Sequence, residues 1–99
     1  MHLEQQNWAA AEEVLQRALQ QCEALDLPWE RGNTLYCLGL FYRRRADKLY
    51  HDNPTERAID LGRAHHHFEQ ALGFFEALKA ERDAERARLA LLQDSEAPV

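Results

Sequence analysis

The sequence predicts an all-helical protein of about four helices, arranged as antiparallel helical hairpins. Only four glycines and three prolines interrupt its 99 residues. Alanine, leucine, glutamate, glutamine and arginine, which favour helices, dominate the composition. No run of β-branched residues alternates with polar ones, so no segment has the pattern of a strand.

Helix start signals divide the chain into its elements. In "LDLPWE", Pro28 stands at a first helical position, where its missing N–H costs nothing. In "HDNPTE", Asn53 can cap a helix that continues with Pro54 and Glu56. We expect the tail, residues 94–99, to be frayed. The helices are expected near residues 4–25, 28–50, 54–79 and 81–93.

Size and charge limit the function. A chain of 99 residues makes one domain, 1–99. Its net charge of -5 gives nucleic acid no general electrostatic attraction, and no stretch approaches the roughly 18 apolar residues of a membrane span. Cys22 and Cys37 match neither a metal motif nor a secreted disulfide framework. We therefore expect a cytoplasmic protein with free thiols and neither nucleic acid nor membrane as a partner.

The chain repeats part of its own pattern after 53 residues. Seven positions of the first helix recur in the third: Ala11, Leu15, Ala18, Leu19, Glu23, Ala24 and Leu25 become Ala64, Phe68, Ala71, Leu72, Glu76, Ala77 and Leu78. The same offset pairs Leu38 with Leu91. At 100° per residue, the apolar positions of the second copy fall within one helical face. The sequence therefore predicts a helical pair that is used twice and packs through alanine-lined faces.

Three short motifs resemble the tetratricopeptide repeat family. The spacing Ala-x3-Phe-x2-Ala-Leu at 64–72, and its copy with Leu at 11–19, resembles the second helix of such a repeat. "TLYCLGLFY", residues 34–42, resembles the first helix. The segment "FEALKAERDAERARLALL" resembles the longer repeats of helical sensor regions in bacterial signalling ATPases and transcription activators. The resemblance implies hairpins stacked over about residues 8–92.

Two features depart from the family pattern. Ala64 follows Tyr42 by 22 residues, which is longer than the family spacing, and Leu92 stands where the earlier copy has Gly39. Residues 43–63 could either lengthen two helices or form a loop. A plain helical bundle is therefore an alternative to the superhelical stacking of the family.

The resemblance also suggests a binding surface. In the family the first helix lines a groove, and this maps groove positions onto five residues: Asn33, Tyr36, Leu40, Arg43 and the adjacent Arg44. The two arginines belong to "YRRRADK", a concentrated positive run that could pair with carboxylates of an acidic peptide. The alternative interpretation is a solvated helix face.

The histidine run at 65–67 is the strongest candidate for chemistry. Consecutive helical positions point 100° apart, so these three side chains cannot converge on one ion. The chain has neither histidines spaced as in His-Glu-x-x-His nor a Cys-x-x-Cys pair, and no hydroxyl residue stands in a nucleophile motif. We expect no catalytic residue, metal or cofactor. A metal-dependent enzyme using this run and His51 is the alternative.

These observations favour a non-catalytic protein–protein interaction module, a scaffold or sensor region that binds a protein or peptide, with an acidic partner suggested by the arginines. Helical repeats need about three units to bury a continuous core, and this chain has fewer. We therefore expect either a homodimer or one part of a longer repeat array. The alternative within the same class is a regulatory fragment of a bacterial transcription activator or signalling ATPase.

Overall fold

The computed structural model describes residues 3–95, which form four packed α-helices and contain no strand. The predicted all-helical class is confirmed. The part of the frayed-tail prediction that concerns residues 96–99 lies outside the described residues, whereas Ser95 still belongs to the last helix. The elements are α1 (Leu3–Ala24), α2 (Pro28–Lys48), α3 (Pro54–Ala77) and α4 (Glu81–Ser95).

The long segment between the two family-like motifs lengthens both middle helices. α2 continues to Lys48 and α3 begins at Pro54, so residues 49–53 alone connect them. The side chain of Asn53 caps α3 by accepting a hydrogen bond from the backbone N–H of Glu56 at 3.2 Å. This cap satisfies one of the free N–H groups at the helix start.

The two hairpin turns repeat the 53-residue offset in the backbone. α1 ends at Ala24 and α3 at Ala77, and each helix is followed by one left-handed residue, Asp26 with φ 54° and Lys79 with φ 58°. The residue after each of these donates its N–H to a carbonyl five positions earlier, at 3.0 Å in the first turn and 2.8 Å in the second. This pattern is the Schellman motif, which satisfies the last carbonyls of a helix. The repeat is thus structural as well as sequential.

The largest helix–helix interface joins α2 to α3, which run antiparallel. Gly39 and Gly32 of α2 face Phe68 and Phe75 of α3. A Cβ atom on Gly39 would lie 2.5 Å from the ring of Phe68, and one on Gly32 would lie 2.9 Å from the ring of Phe75. Both rings are fully buried. The missing side chains therefore let two aromatic rings enter the space between the helices.

The α3–α4 contact is lined by small residues. Ala84, Ala87 and Ala90 of α4 are buried at a spacing of three residues, and Ala71 of α3 is completely buried. Its counterpart Ala18 on α1 is only half-buried. Alanines let two helix backbones approach closely, so this face of α4 packs flat against the hairpin that precedes it.

A buried ion pair joins the carboxyl end of α2 to the amino-terminal part of α3. The guanidinium of Arg45 donates to both carboxylate oxygens of Asp60, at 2.8 and 2.9 Å, and the two residues are 8% and 1% exposed. The hydrogen bonds to Asp60 raise the pKa of Arg45 above its already high value. Glu12 of α1 lies 3.4 Å from the same guanidinium and accepts a hydrogen bond from the Tyr42 hydroxyl at 2.6 Å. This network attaches α1 to the central hairpin.

Replacing Gly39 by alanine should destabilise the fold, because the new methyl group would meet the Phe68 ring. We expect a loss of about 1–3 kcal/mol in the free energy of unfolding, measured by urea denaturation followed by circular dichroism. Gly73 is the matched control, since a methyl group at that position would meet no atom within 4 Å. Gly73→Ala should stabilise α3 by roughly 0.5–1 kcal/mol. A Gly39→Ala variant as stable as Gly73→Ala would contradict the close approach of α2 and α3.

Removal of Asp60 should be costly, because it leaves the buried guanidinium of Arg45 without its main partner. Asp60→Ala is expected to lower the free energy of unfolding by about 3–5 kcal/mol. Asp47 makes a surface pair with Arg57 at 3.2 Å, where the side chains are 56% and 39% exposed. Asp47→Ala should therefore cost less than about 1 kcal/mol. Equal losses in the two variants would show that burial of the Arg45 pair contributes nothing special.

Candidate functional site

A groove of about 680 Å³ runs between α1 and α2. Three residues of α1 and five of α2 line it: Asn7, Trp8, Ala11, Cys37, Leu40, Phe41, Arg44 and Lys48. Its lining is mostly apolar, and it includes no carboxylate and no histidine. A groove of this kind suits the apolar face of another chain segment.

The floor of the groove is aromatic and one end is cationic. The rings of Trp8 and Phe41 meet edge to face, with centroids 5.6 Å apart. Arg44 and Lys48, in the last turns of α2, are exposed and make no ion pair with any residue of the described chain. Because the surrounding protein is acidic, these two cations form a local positive end on the groove.

The groove lies beside one face of α1. At the 53-residue offset, this face corresponds to the face of α3 that packs on α2. On α3 this face is wholly buried: Asp60, Ala64, Phe68, Ala71 and Phe75. Its counterparts on α1 are Asn7, Ala11, Leu15, Ala18 and Cys22, of which only Cys22 is buried. Val14, beside them, is 64% exposed. One copy of the repeat is thus covered by a helix along this face, and the other is open.

The five binding residues predicted from the sequence fall on two sides of α2. Leu40 and Arg44 line the groove. Asn33, Tyr36 and Arg43 instead face α4. Asn33 accepts a hydrogen bond from Arg86 at 3.4 Å, and the guanidinium of Arg86 lies 4.6 Å above the ring of Tyr36.

Arg43 also points toward α4. Its guanidinium donates to the backbone carbonyl of Ala90 at 3.5 Å and lies 5.4 Å from the centre of the Phe68 ring. A cation held against an aromatic face and a carbonyl is already engaged within the fold. The structure therefore separates Arg43 from Arg44, although the two are adjacent in sequence.

The sequence interpretation missed the part of the groove that α1 contributes. Trp8 and Ala11, together with Cys37, Phe41 and Lys48 of α2, were not among the predicted site residues. A signal for α1 was present, since Ala11 is the counterpart of Ala64 and should need a covering helix in the same way. The missed α2 residues follow one another at helical spacing, and they form a stripe on α2 next to the stripe of predicted residues.

The three consecutive histidines diverge, as their helical spacing requires. His66 is exposed, and the Nε2 of His65 lies 3.6 Å from a carboxylate oxygen of Glu69. The ring of His67 stacks on Tyr42, with centroids 5.5 Å apart and planes 15° apart. Within the described part of the chain, no three His, Cys, Asp or Glu side chains are grouped closely enough to hold a metal ion.

Comparison with known proteins does not place the chain in a family. No family model matches the chain, and neither a curated protein nor a solved structure is significantly similar to it. Among the described residues, no helix is both long enough and apolar enough to cross a membrane. The tetratricopeptide resemblance therefore rests on the motifs of the sequence alone.

Folding should become less favourable as His67 takes up a proton. Burial lowers the pKa of His67 below its ordinary value of 6.5, so the unfolded chain binds this proton more readily than the folded one. The stability that neutral His67 contributes to the folded state is complete above pH 6.5 and is lost as the pH falls below it. We expect His67→Gln to show a flatter profile of unfolding free energy between about pH 7 and pH 5. Profiles of wild type and variant that stay parallel would contradict a half-buried imidazole that is neutral in the folded protein.

Proposed function

We propose that this chain is a non-catalytic, tetratricopeptide-like interaction module that binds a helical segment of a protein in the groove between α1 and α2. One observation carries the proposal. The face that α3 buries against α2 is repeated on α1, where Ala11, Leu15 and Ala18 remain partly exposed. On α3 this face is covered by an α-helix, α2. A helix is therefore the expected ligand for the same face of α1.

The lining of the groove indicates the chemistry of that helix. Trp8, Phe41 and Leu40 offer apolar surface, which suits leucines repeated at a helical spacing. Arg44 and Lys48 favour negative charge at one end. The carboxyl end of a helix carries partial negative charge and unpaired carbonyls, so this end is expected beside the two cations.

The proposal differs from the sequence interpretation in one respect. Arg44, and not Arg43, is assigned the pairing with an acidic partner, because Arg43 already contacts Ala90 and Phe68. The non-catalytic role is supported by the groove lining, which contains no carboxylate or imidazole to act as a general base. A cytoplasmic location belongs to the same proposal and is supported by the two free cysteines, Cys22 and Cys37.

A designed helical peptide can test this function in place of the natural partner. The probe is a fluorescein-labelled helix with leucines at i, i+3, i+4 and i+7 and two glutamates at its carboxyl end, and binding is followed by fluorescence anisotropy. We expect saturable binding, weakened roughly tenfold by Arg44→Glu because the ligand then meets a like charge. The same peptide ending in two lysines should bind the wild type more weakly and bind the Arg44→Glu variant better.

Arg82→Glu is the matched control, because Arg82 is also an exposed arginine but lies on α4, outside the groove. Its binding curve should overlay that of the wild type. The proposal fails if no peptide binds up to about 1 mM, the weakest range of specific recognition, or if the two variants lose affinity equally.

A further inference from the structure

The last helix presents a second uncovered face. α4 follows the second hairpin turn as α2 follows the first, and the two helices begin 53 residues apart, at Pro28 and Glu81. α4 packs on α3 through one face only. On its outer side Leu89 is 50% exposed and Leu92 is 56% exposed. Large apolar side chains at this exposure form a surface that a further helix could bury.

The two uncovered faces correspond to the two sides of the chain's own largest interface. The open face of α1 is the counterpart of the α3 face packed on α2. The outer face of α4 is the counterpart of the α2 face packed on α3, with Leu92 at the position of Gly39. An α4 helix placed on an α1 helix would therefore repeat the α2–α3 arrangement between two molecules.

Side-chain volumes at the two faces are complementary at the first close contact. Inside the chain, Gly39 gives space to the ring of Phe68. At the uncovered faces the small residue becomes Leu92 and the ring becomes Leu15. The α4 position therefore has a side chain where α2 has none, and the α1 position has a smaller side chain than the ring on α3. The exchange moves side-chain volume from the α1 side of the contact to the α4 side and keeps both residues apolar.

The second close contact shows the same direction of size change, with a charged residue on the α4 side. Gly32 lies against the ring of Phe75 inside the chain. Their counterparts are Glu85 on α4 and Cys22 on α1. Again the glycine is replaced by a larger residue and the phenylalanine by a smaller one. The size of the side chains thus changes in the same direction at both positions, but only the pair of Leu92 and Leu15 is apolar.

The charge at one end of the groove fits this pairing as well. α2 runs antiparallel to α3, so an α4 helix on α1 would place its carboxyl end beside Arg44 and Lys48. The last turn of α4 has no basic residue, and its end therefore suits two cations. The counterpart of the buried Asp60 is Asn7, which is uncharged and requires no buried arginine from the second molecule.

We infer that the groove between α1 and α2 receives α4 from a second copy of this chain, so that copies associate head to tail. The inference rests on the proposed function and names its ligand. The interface is heterologous, because the two copies contribute different surfaces. It differs from a closed homodimer, one of the two arrangements expected from the sequence, since each copy keeps one open face and can add another molecule.

The experiment is a complementation between two variants, followed by size-exclusion chromatography with light scattering. Val14→Glu places a charge on the α1 face, and Leu92→Glu places one on the α4 face. Both residues are exposed, so neither substitution should disturb the fold. Wild-type protein should grow in mass with concentration beyond twice its 11.5 kDa. Each variant alone should remain at 11.5 kDa. Their mixture should form a 1:1 complex that does not grow, because each partner supplies the face that the other lacks.

Ile59→Glu is the matched control, since it places the same charge on an exposed apolar position of α3, outside both faces, and should still assemble. Arg44→Glu is a second groove variant, and its mixture with Leu92→Glu should also form a 1:1 complex, because the Leu92→Glu protein supplies an intact groove. A wild-type protein that stays monomeric to about 1 mM overturns the inference. So does a wild-type dimer whose two variants fail to complement, because that result requires an isologous interface.

The outcome also separates this inference from the proposed function. If the wild-type protein is monomeric and the designed peptide still binds, the groove binds helices but α4 is not its ligand. If the protein does not assemble and the peptide does not bind, both proposals fail.

Discussion

The close approach of α2 and α3 is the constraint on which the rest of the structure depends. Two glycines remove the side chains that would keep the helices apart, and the rings of Phe68 and Phe75 fill the space. Both rings are fully buried, so each contributes the full transfer of an aromatic side chain from water. The buried pair of Arg45 and Asp60 then fixes how the two helices align along their length.

The outer helices are attached to this centre by lighter contacts. α4 uses a stripe of alanines, and α1 uses the Trp8–Phe41 contact and the bonds of Glu12 to Tyr42 and Arg45. A face of α1 consequently remains open where the same face of α3 is closed. The surface proposed to bind a helix is this open face of α1, and it differs from its counterpart on α3 in that α2 covers only the face on α3.

Much of the fold could be predicted because its signals are local. Pro28, Asn53 and Pro54 mark helix starts by the chemistry of the first turn, and the 53-residue offset compares the chain with itself. The direction of the arginine side chains could not be predicted in this way. Whether Arg43 or Arg44 meets a neighbour depends on how α4 crosses α2, and that geometry is set by residues far apart in sequence. The left-handed Asp26 and Lys79 were also missed, because neither is the glycine that usually marks such a turn.

The proposed role of the open face of α1 as a binding surface can be tested by amide hydrogen exchange, read by mass spectrometry as a function of protein concentration. In dilute solution we expect α1 to exchange much faster than α3, whose equivalent face is buried. On concentration, α1, α4 and the carboxyl-terminal half of α2 should gain protection, while the protection of α3 does not change. An α1 helix that is as protected as α3 in dilute solution, and does not respond to concentration, would contradict the account.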